Sequence, residues 1–430
     1  MSTDMQTAAA FASTSQPPHR RLRKDSAFLY VLSAVLGAGA LATANSAHAL
    51  SASLIVLTGL LCAFAVQFRN PFQMMWMCGH VTFCIMPVIV ISLSGIPFSF
   101  VTAALCTLFS VLVLVASHRL TFSIGRVPSV RLSLLTFVIF ASACVGVLVV
   151  TQGQSFLYLT PTLVVAYAVH AGAASKKESV IGFLMFLLYV YVYVAFFWSE
   201  FGRLVIAGVV LVPTLVLCYR LQLNAMKLPL LAGMGVGGLA GSLLRIEGAS
   251  LSNLAASALR DSAVSPILTA QSIMDRVAPY ADLRVREWLD QLVLFFVGGF
   301  PRAWWPEKPF GFGYQYVVDN FTQGYIDAGH SIAATFMGEH IYYLQGPFFV
   351  LGTILAMAMV FGVFVVCQKM FRLDGAGGLL ACIYLPTFYW GGLASFSQRF
   401  LFGFSVFLIF GVLVALFRRV PIIRSKVDPR

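Results

Sequence analysis

Charge is what this chain has least of. Asp, Glu, Lys and Arg make up 10% of its 430 residues, while 59% are hydrophobic. A soluble domain carries roughly 25% charged residues. At a mean hydropathy of +0.88, there are too few polar side chains to cover a water-facing surface. A soluble fold, a disordered chain and a secreted disulfide scaffold are excluded, and the bilayer is the solvent. Site chemistry with a metal or nucleotide is lacking too. No Cys-x-x-Cys, HExxH, Walker A or Asp-x-Asp spacing occurs, so no metal and no cofactor is expected. The eight cysteines (62, 78, 84, 106, 144, 218, 367 and 382) lie in or at the ends of apolar runs and form no framework.

What is present is apolar sequence in long runs. A spanning helix needs about 20 mostly apolar residues. Such runs occur near 27–44, 50–67, 72–93, 96–116, 132–151, 156–172, 180–198, 203–219, 228–244, 344–367, 376–394 and 400–417. They are continuous rather than alternating, which excludes a transmembrane barrel. The fold class expected is therefore all-α, a polytopic membrane bundle of twelve spans. Lys and Arg set its orientation. Both tails are basic, as are the loops holding Arg69, Arg119 to Arg131, Lys176 and Lys177, Arg220 and Lys227, and Lys369 and Arg372; the short loops between them hold only Arg203 and Arg399. Both termini are placed in the cytoplasm. The organisation read from this is a tail 1–26, helices one to nine over 27–244, an outer loop 245–340, helices ten to twelve over 341–417 and a tail 418–430. A signal peptide cleaved after Ala47-His48-Ala49 would leave eleven spans.

The outer loop concentrates the remaining charge. Ten of the sixteen acidic residues sit in it against seven basic ones, a formal charge of −3. The net +12 of the chain thus marks membrane topology rather than a nucleic-acid partner. Within the loop, 282–297 reads as an interfacial helix with Leu283, Trp288, Leu289 and Leu292 on one stripe. FPRAWWPEKPFGFG (300–313) is too rich in Pro and Gly for a helix, and ATFMGEHIYYLQG (334–346) leads into the tenth span. Gly233, Gly235 and Gly238 fit GxGxxG inside an apolar run, where close helix packing explains them.

The spans are nearly free of charge, which moves the chemistry to the outer mouth. Arg245, Arg302, Lys308 and Arg399 fall there; guanidinium groups around one mouth suit a phosphate or pyrophosphate, and the competing reading is snorkelling to headgroups. Arg203 has Glu200 nearby as a partner. Glu339 and His330 are candidate general bases, with a macrodipole carboxylate and an exposed loop histidine as the alternatives. Trp304-Trp305 reads as an interface anchor or a sugar platform.

The motifs Pro301, Arg302, Trp305, Pro306, Lys308, Pro309 and then Gly338, Glu339, Tyr342, Tyr343, Gly346 resemble those of Wzy-type oligosaccharide repeat-unit polymerases, which build O-antigen, capsule and exopolysaccharide. The resemblance covers 295–350 in motif and the whole chain in topology. It implies a GT-C-like helical architecture with a large periplasmic loop, in the bacterial inner membrane. It also implies metal-independent glycosyl transfer between oligosaccharides on undecaprenyl pyrophosphate. Glu339 or His330 would then be the base, Arg302, Lys308, Arg245 and Arg399 would hold the pyrophosphate, and Trp305, Tyr314, Asp319 and Tyr325 the sugars. Membrane lipid and a polysaccharide co-polymerase are the further partners implied. An O-antigen-ligase-like transferase and a twelve-helix transporter or flippase are the competing readings; the latter calls for polar groups at the midplane and two similar halves.

Overall fold

The computed structural model describes residues 19–44, 47–118, 132–198, 203–243, 264–276, 283–300, 302–327, 331–369 and 376–419. Among them every regular element is a helix. The first nine are α1 (His19–Thr43), α2 (His48–Ala65), α3 (Pro71–Leu93), α4 (Val101–Ser117), α5 (Leu134–Val150), α6 (Phe156–Ala173), α7 (Lys176–Phe196), α8 (Arg203–Arg220) and α9 (Lys227–Leu243). The long loop holds α10 (Ser265–Arg276), α11 (Val285–Val297), α12 (Phe312–Asn320), α13 (Gln323–Asp327) and α14 (Thr335–Leu344), and α15 (Phe348–Lys369) and α16 (Leu379–Arg419) follow. Among the described residues, seven helices are long and apolar enough to cross a bilayer and three more are apolar but shorter. This is the build of a multi-pass membrane protein.

Local sequence sets where these helices start. Asn70 accepts a hydrogen bond from the Gln73 N–H at 3.1 Å ahead of Pro71, which opens α3. Ser175 and Glu178 close a reciprocal capping box on α7. Ile181, Leu184, Leu188 and Tyr191 of α7 are exposed at helical spacing. On a soluble protein they would form an unpartnered apolar stripe; here they are the face for acyl chains. A π-helical stretch, Val81–Ile85, interrupts α3. The α9 glycines sit on it: a Cβ at Gly235 would lie 2.9 Å from Val81, and one at Gly238 2.6 Å from Thr82. Close packing thus accounts for Gly235 and Gly238, whereas a Cβ at Gly233 would meet nothing within 4 Å.

The last two apolar runs meet without the expected loop between them. α16 is one stretch of helix except at Gly391 (φ −139°, ψ 20°) and Gly392 (φ 75°, ψ −162°). In a straight helix Tyr384 and Phe400 would be about 24 Å apart at 1.5 Å per residue. Their ring centroids are 6.2 Å apart, as are those of Phe388 and Phe396. A Cβ at Gly377 would lie 3.9 Å from the Phe407 ring. The pairs 377 with 407, 384 with 400 and 388 with 396 describe two antiparallel arms, 379–390 and 393–419, joined by a tip at Gly391-Gly392. The reversal falls several residues before the sequence-based one.

The long loop is more helical than its sequence indicated. The helix expected over 282–297 is α11, but its buried face is Gln291, Leu294 and Phe295, while Leu283 and Leu289 are exposed. Residues 334–346 do not run into the next span. α14 ends at Gln345 (φ 50°) and Gly346 (φ 45°), and Pro347 separates it from α15.

Candidate functional site

The tip of the hairpin is where the structure places Glu339. α14 packs against both α15 and α16, and the Glu339 side chain is fully buried. Its Oε1 accepts a hydrogen bond from the Leu393 N–H at 2.9 Å. That N–H is among the first of the second arm, which has no intrahelical acceptor of its own. The carboxylate therefore acts across space as the N-terminal cap of the arm, on another helix than the one that carries it. Gly392 makes the approach possible. A Cβ there would stand 2.9 to 3.1 Å from the carboxyl atoms of Glu339, on a residue with φ +75°.

The second carboxyl oxygen, Oε2, has no hydrogen-bond partner among the described residues. Burial pushes the carboxyl up to about 8, against the pull of the Leu393 and Ala394 N–H groups, which favour the charged form. His340 is also fully buried. The Trp288 indole N–H donates to its Nδ1 at 3.0 Å. An accepting Nδ1 places the proton of the neutral ring on Nε2, and that nitrogen lies 3.4 Å from Glu339 Oε1 without hydrogen-bond geometry. Burial pushes His340 down to about 3, so the contact is between a neutral imidazole and a carboxyl group, not an ion pair. Tyr343, one turn on, has a buried hydroxyl with no hydrogen-bond partner among the described residues.

The Pro-rich turn brings Arg302 and Lys308 together, and both hold backbone carbonyls. Lys308 is buried, and its Nζ donates to Gly298 O at 2.6 Å and Phe300 O at 2.9 Å, which closes the C-terminal end of α11. Arg302 donates to Lys308 O at 2.5 Å and Pro309 O at 3.0 Å, and its guanidinium lies 3.9 Å from the Phe310 ring centroid. The cleft beside them, about 230 Å³, is also lined by Glu287, Asp290 and Glu307. The cationic mouth expected from sequence is thus a mixed one, with two cations among three carboxylates. Burial and, to a lesser degree, the like charge of Arg302 hold Lys308 below the usual lysine range.

Asp319 is engaged on both oxygens. Arg284 Nη1 and the Tyr342 hydroxyl donate to Oδ2 at 2.7 and 2.6 Å, and Gln315 donates to Oδ1 at 2.7 Å. Burial works to raise it, but these donors outweigh burial and hold it below the usual carboxylate range. Tyr314 stacks near Phe310 at 4.5 Å and Tyr325 near Phe321 at 5.4 Å, and Trp304 is 76% exposed beside a half-buried Trp305. Arg399 does not sit at a loop: it lies on the second arm, donates to Ser395 O at 2.8 Å and faces the Trp390 ring at 5.9 Å. His330 and Arg245 fall outside the described residues, as does Pro301.

His340 is among the charged and ionisable residues that the sequence places at the outer mouth, but its partner is not legible there. Trp288, Arg284 and the Gly391-Gly392 pair escaped as site residues; they matter through partners 52, 35 or 53 positions away, which no local pattern shows. A further feature lies within the spans. His80 Nδ1, Ser110 Oγ and the Tyr389 hydroxyl form a buried triangle with edges of 2.5, 3.0 and 3.2 Å, packed under Trp76 and Phe336. Among the described residues no group of three or more His, Cys, Asp or Glu is placed to hold a metal ion. Compared with known proteins, the chain matches no family model, no curated protein and no solved structure.

Proposed function

We propose that the protein is a glycosyltransferase that polymerises oligosaccharide repeat units carried on undecaprenyl pyrophosphate, at the periplasmic face of the inner membrane. The observation that carries the reading is Glu339. One of its oxygens is fixed by the hairpin tip and the other is unpartnered, in a surrounding that raises its proton affinity. A general base needs that combination of fixed position and a proton affinity near the working pH. In the reaction the acceptor sugar hydroxyl forms a bond to the anomeric carbon of the donor. The bond from that carbon to the pyrophosphate oxygen breaks with its electron pair, and the hydroxyl proton passes to Glu339. The lipid pyrophosphate leaves already charged. Arg302 and Lys308 retain donors beyond the carbonyls they hold and would face the leaving group, while Tyr314, Tyr325 and Trp305 offer ring faces to sugars. On this reading, α1 to α9, α15 and the α16 hairpin form the membrane body of a GT-C-like architecture.

The experiment pairs two substitutions in cells lacking the native gene. Glu339→Gln keeps an acceptor for the Leu393 N–H and removes the base, so it is expected at normal abundance with single repeat units in place of long polymer. Glu339→Ala removes the cap as well and is expected to lower abundance. Long polymer of normal length from Glu339→Gln overturns the assignment. The lipid-linked species that accumulates on deletion separates the ligase reading: single units belong to a polymerase, finished chains on the lipid to a ligase. The buried His80 triangle is the observation that favours a transporter. It is closely packed, however, and the two clefts described lie elsewhere. Uptake of a labelled lipid-linked unit into proteoliposomes without chain growth would decide for transport.

A further inference from the structure

A second cleft lies apart from the hairpin tip. It forms where the turn between α2 and α3 meets the ends of α6 and α8, and its volume is about 280 Å³. Arg69, Tyr219, Arg220, Gln222 and Asn224 line it, with Ala171 at the end of α6. None of these residues belongs to the Glu339 site. The segments that meet here, 64–71, 171–178 and 216–227, carry five cations (Arg69, Lys176, Lys177, Arg220 and Lys227) and one carboxylate, Glu178. That carboxylate is occupied by its own capping box, accepting the Ser175 N–H at 2.8 Å. Lys227 is occupied too, its Nζ donating to Phe64 O at 2.8 Å.

Arg220 is the residue that distinguishes a site from a basic rim. One terminal nitrogen, Nη2, donates to Ala174 O. Its Nε is buried and has no acceptor among the described residues. Arginine does not shed its proton in proteins, and a buried donor without an acceptor is costly. Arg69 stands across the Tyr219 ring, its guanidinium 5.6 Å from the centroid. Gln222, at φ 61°, ends α8 with its N–H on Tyr219 O and the Leu223 N–H on Cys218 O. This left-handed stop turns the chain back so that Gln222 and Asn224 edge the same cleft.

We propose that this cleft binds a phosphate-bearing group, with the Arg220 and Arg69 guanidinium groups as its cationic walls and Gln222 and Asn224 as neutral donors. Planar guanidinium forks match phosphate oxygens. Basic pockets between membrane helices at the side of the basic loops meet anionic headgroups. The group is either the headgroup of an anionic phospholipid or a soluble phosphate, and the test separates the two.

Full-length protein in nanodiscs of phosphatidylcholine is titrated with phosphatidylglycerol in one arm and with inorganic phosphate in the other, and retention is read by native mass spectrometry. Saturable retention of one probe is expected, reduced at least tenfold in Arg220→Gln and in Arg69→Gln. Arg69 is exposed, so its variant reports on binding where Arg220→Gln fails to fold. Lys176→Gln removes the same charge outside the cleft and should bind as the wild type does. Retention of phosphatidylglycerol alone assigns a lipid headgroup, and competition by inorganic phosphate assigns a soluble ligand. No saturable retention by the wild type overturns the site. So does an equal loss in Lys176→Gln and Arg69→Gln, which would mean diffuse surface charge.

Discussion

Glu339 caps the second arm of α16, and the base role proposed for it separates from the cap by pH and by substitution. As a base it acts only when ionised, and its carboxyl lies at about 8 rather than in the ordinary carboxylate range. Polymerisation by purified protein should therefore climb by about tenfold per pH unit on the acid side and level off above about pH 8. Initial rates measured from pH 6 to 9 with a synthetic lipid-linked unit check this, and a flat profile removes Glu339 as the base. His340 does not contribute to that slope, because burial keeps it neutral across the range. The motif marked Glu339 from sequence, but not its contact with Leu393, because that partner lies on another helix.

At the level of elements, the hairpin tip and the Pro-rich turn are the two constructions that hold the site. Gly392 has both a left-handed backbone and a carboxyl group where a Cβ would go. Gly392→Ala should cost at least about 2 kcal/mol from strain and collision together, read as a lower unfolding midpoint in detergent. Gly237→Ala, where a Cβ meets nothing within 4 Å, should leave the midpoint near wild type. Lys308 offers a different contrast. Lys308→Met strips the donors from two carbonyls at the end of α11, at a cost of about 1–3 kcal/mol, and limited proteolysis should cut the 298–310 turn faster. An unchanged cleavage rate with impaired polymerisation would assign Lys308 to the leaving group alone. The hydrophobic runs located these helices well. The exact reversal in α16 was not visible, because two glycines inside an apolar run look like packing residues until both neighbours are known.

For the whole molecule, the direction in which the loops face is the open quantity that experiment reaches most directly. All eight cysteines are buried, so a cysteine introduced on the surface reports alone. Trp304→Cys should be labelled by a membrane-impermeant maleimide in intact spheroplasts. Lys176→Cys should be labelled only after permeabilisation. Labelling of both from one side would break the proposed topology and with it the periplasmic placement of the site. The charge map behind this prediction was readable in the sequence, because basic loops and apolar runs are local properties.

Composition and hydrophobic run length by themselves determined that this is an all-helical membrane protein, since neither depends on which helix meets which. They also isolated the one loop that carries most of the acidic residues. The tertiary structure decided the rest. It turned two apolar runs into a hairpin and set a carboxylate from the loop on the first N–H groups of its second arm. It gave Arg302 and Lys308 to backbone carbonyls and, among the described residues, left Arg220 Nε without an acceptor beside a second cleft. The cap on the hairpin joins residues 54 positions apart, and even the shorter-range contacts of the turn are fixed by burial and by the need to satisfy polar groups that water does not reach.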